Sequence, residues 1–176
     1  ITRCLVGSEM CIRDSGNRDF LLGSGFEEMT GIQIIDDMTI IEDKFCKIMV
    51  SHGDVFCTDD VEYQNLKKTL RSEEWIESFL SKSIEERIDF ANQLRSQSAE
   101  SSSNKAENIM DVNADYVDEV IGKNNLDLLI HGHTHRPAIH RLDSGASRAV
   151  LGSWENNEGW IIEYKQGNID LKSFPL

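Results

Sequence analysis

The chain has 176 residues, 39% of them hydrophobic and 28% charged, with twelve glycines and two prolines. That length suits one domain of the usual ~100–200 residues, and the composition excludes collagen-like, low-complexity and wholly disordered chains. Eighteen Lys and Arg against thirty-one Asp and Glu leave a formal charge of −13, which argues against general electrostatic binding to nucleic acid.

Residues 1–15 (ITRCLVGSEMCIRDS) show no periodicity, do not open on Met and lack the apolar stretch of a signal peptide. They resemble translated sequencing-adaptor runs and are read as a non-native leader, set aside from the fold; a short native helix or strand is the alternative. From Gly16 the pattern becomes coherent. GNRDFLLG reads as a polar loop running into a short apolar stretch, and residues 24–30 suit a short helix. Ile32–Ile35 and Met38–Glu42 read as strands around an Asp36–Asp37 turn, and Phe45–Val50 as a buried strand ending at SHGD. The period then changes. Residues 61–70, 73–80 and 84–95 carry apolar side chains at helical spacing, with Ser72 as an N-cap before Glu73–Glu74. Residues 96–104 (SQSAESSSN) read as a solvated loop. A helix is expected from about Lys105 to Ile121, with Gly122 near its end. Leu126–Ile130 is a short apolar run that ends at HGHTHRP. Ala149–Trp154, Trp160–Tyr164 and Ile169–Phe174 read as closing strands. No stretch approaches the ~18 apolar residues of a membrane-spanning helix. Cys4, Cys11, Cys46 and Cys57 read as reduced thiols of a cytosolic protein, since a chain of this length builds a core without staples.

Four of the five histidines fall in two motifs: His52 in SHGD, and His131, His133 and His135 in HGHTH. Each motif follows an apolar strand and contains glycine, and loops at strand ends are where sites are built in α/β architectures. Neutral imidazole is the commonest transition-metal ligand, and three alternating histidines after a buried strand point to metal. GNRD adds Asn17, whose amide oxygen suits Mn²⁺ or Mg²⁺ better than structural Zn²⁺. A zinc site on Cys46, Cys57 and His52 is disfavoured, because the paired C-x₂₋₄-C spacing is absent.

The ordered set GN-x-D, HGD and GH-x-H resembles the calcineurin-like metallophosphoesterases. The stretches GNRDFLLG (16–23), HGDVFCTDD (52–60), IMDVN (109–113), IHGHTHRPAIH (130–140) and VLGSW (150–154) resemble the branch that acts on UDP-2,3-diacylglucosamine in lipid A synthesis. One residue separates the branches: Arg18 stands where most of the superfamily places His. The resemblance implies an α/β (α+β) fold, a metallophosphoesterase-like β-sandwich flanked by helices. Its N-terminal part would be missing, and a helical lid would be inserted at about residues 61–121 of a domain running 16–176. It implies metal-activated water cleaving the diphosphate to give UMP and 2,3-diacylglucosamine 1-phosphate. Two divalent ions, Mn²⁺ by preference, would be held by Asn17, His52 and His133 on one side and His135 on the other. No catalytic residue beyond these ligands is implied. Substrate contacts would come from Asn17, Arg18, Asp60, Ser98, Ser102, Lys105 and His133, with Ser102 standing where the branch has Asn. Each has a plainer reading beside it. Arg18 could pair with Asp19, Asp60 could cap the helix from Val61, and the serines could belong to a solvated linker. His131 and His140 are left without a role as ligands.

The branch also uses an N-terminal D-x-H and a G-D-x-x-D, and neither motif occurs in these 176 residues. The expectation is an exposed sheet edge, weak metal binding and negligible turnover by this polypeptide alone. The apolar residues of the insert would line an acyl-chain chamber or form an ordinary helix-pair core; periodicity does not separate the two. Residues 61–95 carry six basic and seven acidic side chains. Attachment as a peripheral protein at the cytoplasmic face of the inner membrane would therefore rest on apolar docking rather than charge. No nucleic acid or obligate protein partner is implied. The competing readings are a metallophosphoesterase of soluble phosphodiesters and a non-catalytic metal-binding module.

Overall fold

The computed structural model describes residues 2–4, 11–104 and 109–176, with side chains for 11–98 and 109–176. The chain divides into two compact units, one formed by residues 1–56 with 114–176 and the other by residues 57–113.

The first unit is built on sheets. A three-stranded sheet joins β1 (Thr2–Cys4), β2 (Cys11–Asp14) and β3 (Gln33–Ile35), with β2 antiparallel to β1 and parallel to β3. Part of the segment expected to be a foreign leader is thus a strand, with Ile12 and Asp14 buried. Helix α1 (Ser24–Thr30) links β2 to β3 and stops at Gly31, whose left-handed φ of 69° lets its N–H reach the Glu27 carbonyl.

The larger sheet has the order β4-β5-β6-β8-β7, made of β4 (Thr39–Glu42), β5 (Lys47–Ser51), β6 (Leu128–His131), β8 (Ser147–Val150) and β7 (Ala138–Arg141). Its three central strands β5, β6 and β8 are parallel. Their runs KIMVS and LLIH are apolar almost throughout because both faces are covered. One face carries Ile48, Val50, Leu128, Ile130 and Ala149. Against it pack Trp160, Ile162, Tyr164, Ile169 and Leu171 from the hairpin of β9 (Glu158–Lys165) and β10 (Asn168–Pro175). Gln166 and Gly167, both at positive φ, form the two-residue turn that matches the strand twist. Met49, Leu129 and His131 alternate onto the opposite face. There Phe56, at the end of a 3₁₀ turn (Asp54–Phe56), touches His131 and Tyr116 of helix α5 (Ala114–Asn124). The result is a mixed α/β fold with two β layers and a helix on the outer face.

The second unit holds α2 (Val61–Leu70), α3 (Glu73–Leu80) and α4 (Ile84–Asn104). Each start has its cap. Asp60 Oδ1 accepts from the Tyr63 N–H (3.1 Å), and Ser72 Oγ from the Trp75 N–H (3.3 Å). Ser83 and Glu86 form a reciprocal capping box. Trp75 stacks on Phe79 at 4.7 Å, and both rings meet Phe90, while Leu80, Ile84 and Ile88 stay exposed.

Two expectations about elements are corrected, and one strand had no counterpart in the sequence reading. The Ser-rich stretch 96–104 is helical rather than a loop, as the continuation of α4. Extending an existing helix by one residue costs far less than starting one, and this stretch contains no Gly or Pro to stop it. The helix expected from Lys105 starts at Ala114 instead, after the irregular residues 109–113; residues 105–108 lie outside the described set. Strand β7 went unpredicted, because the short AIHR run follows directly on a Pro-containing turn.

Candidate metal and phosphate site

The site is assembled where strands end. SHGD leaves the C-terminal end of β5 and HGHTH leaves the adjoining end of β6. The parallel register pairs Ser51 with His131. One step further on, the Gly132 N–H donates to the His52 carbonyl at 3.0 Å. GNRD follows β2, and Gly16 lies so close to the His52 ring that a Cβ there would sit 3.1 Å from Cε1. Three segments far apart in sequence therefore meet at one imidazole.

His52 Nε2 and His133 Nδ1 face each other at 3.2 Å, their rings edge-on with centroids 5.1 Å apart. Burial lowers the His52 pKa below its ordinary 6.5, against the upward pull of Asp54, Asp14, Asp37 and Asp19. The ring is therefore neutral at neutral pH and presents a lone pair rather than a charge. His133 sits at φ +64° and His135 at φ +55°. Left-handed backbone at two non-glycine residues stores strain, and such strain clusters at functional sites. His135 is exposed, one residue beyond the buried and unpartnered hydroxyl of Thr134.

The GNRD turn is locked internally. The Gly16 N–H donates to Asp19 Oδ1 at 2.6 Å, the Leu22 N–H donates to the Asp19 carbonyl, and Arg13 forms an ion pair with the Asp19 carboxylate. Burial alone would raise the Asp19 pKa, but Arg13 and the Gly16 N–H outweigh it and hold the carboxyl below its usual value. With Asp19 taken by Arg13, the Arg18–Asp19 pair does not form. Asn17 and Arg18 are both exposed, and Arg18 has no ion-pair partner among the described residues.

Of the other sequence candidates, Asp60 caps α2 and Ser98 is exposed on α4. The Ser102 side chain and all of Lys105 lie outside the described residues. Among the described residues no group of three or more His, Cys, Asp or Glu is arranged to hold a metal ion. What the site does hold is two facing imidazoles beside the Gly16–Asn17 loop. In chemistry, ring nitrogens beside a side-chain amide are part of a donor set suited to a divalent ion.

Three residues support the site, and two of them, Asp37 and Arg148, carry no motif of their own in the sequence. Asp37 Oδ1 accepts from Ser51 Oγ (2.6 Å) and from the His52 N–H (3.3 Å), so it fixes the start of the SHGD loop. The signal was the hairpin register: continuing Thr39↔Val50 puts Asp37 opposite His52. The fully buried Asp54 pulls electrostatically on His52, and Arg148 reaches the His131 ring.

No family model matches the chain. Curated relatives do. The UDP-2,3-diacylglucosamine hydrolase of Marinobacter nauticus is 40% identical over 92% of this chain and 67% of its own length. That of Pectobacterium carotovorum is 39% identical over 94% and 70%, and that of Chromobacterium violaceum 41% identical over 92% and 67%. Among solved structures, an archaeal phosphodiesterase superposes with a TM-score of 0.46 at 14% identity, covering 94% of this chain and 68% of that one. With identity near 40% across two thirds of such relatives, the chain belongs to the UDP-2,3-diacylglucosamine hydrolase family.

Proposed function

We propose that this chain provides one side of a two-metal site that hydrolyses the diphosphate of UDP-2,3-diacylglucosamine, giving UMP and 2,3-diacylglucosamine 1-phosphate. The observation that carries the reading is the pair of facing ring nitrogens, His52 Nε2 and His133 Nδ1 at 3.2 Å, beside the GNRD turn. His52, His133 and Asn17 would hold one divalent ion, Mn²⁺ by preference, and His135 would supply a ligand to the second. Divalent ions bound there lower the pKa of a water and neutralise charge on the attacked phosphate. Burial keeps His52 ready to ligate without first losing a proton. Arg18, exposed and free of Asp19, grips a phosphate oxygen pair through its planar fork. Asn17 and His133 also touch the substrate. Asp60, Ser98, Ser102 and Lys105 contribute to nucleotide and glucosamine recognition. The protein works at the cytoplasmic face of the inner membrane, docking through apolar side chains; among the described residues no helix is long and apolar enough to cross a membrane.

The test is Mn²⁺ titration of the chain, followed by electron paramagnetic resonance. His52→Ala and His133→Ala should each weaken binding by about tenfold or more, the scale on which even outer-shell changes act at metal sites. Affinity unchanged in both variants overturns the reading. Since neither D-x-H nor G-D-x-x-D is present in these residues, UMP release by this polypeptide alone should be negligible. Efficient Mn²⁺-dependent release would contradict a site that is only half supplied by these residues.

A further inference from the structure

His131 is fully buried, one residue before the Gly132 peptide that joins the two histidine loops. That peptide is used three times. Its N–H donates to the His52 carbonyl (3.0 Å), and its carbonyl accepts from the Thr134 N–H (2.8 Å) while lying 2.9 Å from His131 Nδ1. The Gly132–Thr134 bond spans two residues with His133 between them at φ +64°. This is a γ-turn of the positive-φ kind, which is rare and strained. Something outside the turn must hold it. On the far side of the His131 ring, Arg148 Nη1 lies 3.4 Å from Nε2. A guanidinium only donates, so the contact assigns Nε2 as acceptor and leaves Nδ1 as the donor, 2.9 Å from the Gly132 carbonyl oxygen. There is no room to rearrange: a Cβ on Gly53 would lie 2.8 Å from His131 Nδ1 and 3.0 Å from the Gly132 oxygen.

We infer that His131 is a positioning residue: oriented by Arg148, its Nδ1–H clamps the Gly132 carbonyl and so holds the γ-turn that aims His133 at His52. The inference rests on the metal reading above for its purpose, but not for its geometry. His131 itself touches neither ion nor substrate. It acts on the direction of His133, as outer-shell partners orient ligands at metal sites.

The test uses the full chain and two variants that differ in one property. His131→Asn keeps an N–H near the place of Nδ1, while His131→Leu keeps bulk and loses the donor. Three readouts follow: thermal melting, hydrogen exchange of the Thr134 amide, and Co²⁺ affinity by titration. Packing alone predicts that both variants behave alike. The clamp predicts that His131→Leu, compared at temperatures where it is folded, exchanges its Thr134 amide faster and binds Co²⁺ about tenfold or more weakly, with His131→Asn close to the parent in both. Should His131→Leu fail to fold, the nitrogen-15 shifts of the His131 ring in the unaltered chain decide the matter. A proton on Nδ1 with a bare Nε2 supports the clamp, and the reverse tautomer overturns it. Equal Thr134 exchange in all three proteins overturns it as well. If the exchange difference appears while even the parent fails to bind Co²⁺, the metal reading has failed and the clamp stands.

Discussion

At single residues, the site depends as much on what is missing from a side chain as on what is present. Gly53 has φ +112°, where an L side chain is strained, and any Cβ would press on His131 and on the Gly132 carbonyl. Gly53→Ala should therefore destabilise the chain by about 1–3 kcal/mol, measured by urea unfolding, and should weaken Mn²⁺ binding because both histidine loops move. Unchanged stability would mean the two loops have slack that the distances deny. The motifs that bring His52 and His133 together were legible because each is contiguous in sequence. Their supports were not. Asp37 and Arg148 reach the site across strand registers, which residue spacing does not encode. The same holds for Arg18: only the fold reveals that Arg13 has claimed the carboxylate next door.

Among elements, strands β3 to β6 and the hairpin β9–β10 were legible, because apolar runs bounded by turn residues carry their own periodicity. The Ser-rich end of α4 was not, since composition suggested a loop and helix propagation decided otherwise. The hairpin is tied to the sheet by one polar contact as well as by its core. Tyr164 Oη donates to the Asp43 carboxylate at 2.9 Å, while the Phe45 and Cys46 N–H groups donate to the same carboxylate. The Phe45 N–H leads in holding the Asp43 pKa below its usual value, with Tyr164 and Cys46 adding to it against burial. Burial, followed by the bond to Asp43, raises the Tyr164 pKa. The signs set two flanks. Asp43 stabilises above the unfolded value of 3.8, and its contribution is lost as pH falls through the lower folded value. Tyr164 stabilises below 10, and its contribution is lost as pH rises through the higher folded value. Melting temperature against pH should thus fall at both ends, and Tyr164→Phe should flatten the alkaline flank while leaving the neutral fold intact. An alkaline flank unchanged by that substitution would remove the tie.

For the molecule as a whole, net charge constrains where it can dock. The formal charge is −13, and residues 61–95 are near neutral, so attraction to an anionic bilayer is weak. Flotation with vesicles should depend little on the fraction of anionic lipid or on salt between about 50 and 300 mM, because any association rests on exposed apolar side chains such as Leu80, Ile84 and Ile88. Strong salt sensitivity would contradict this. The parallel pairing of β5 with β6 has a further consequence, in the order of events during folding. His52 and His133 stand 81 residues apart, so their meeting requires closure of a long loop, the kind of contact that forms late and slowly. The helices of residues 57–113 hold their caps and aromatic stack from local sequence, and they can form before that closure. An ion that needs both histidines recognises only the closed sheet. It would slow unfolding while leaving the rate of folding unchanged, so residence time in the native state, rather than speed of reaching it, is what metal supply would control.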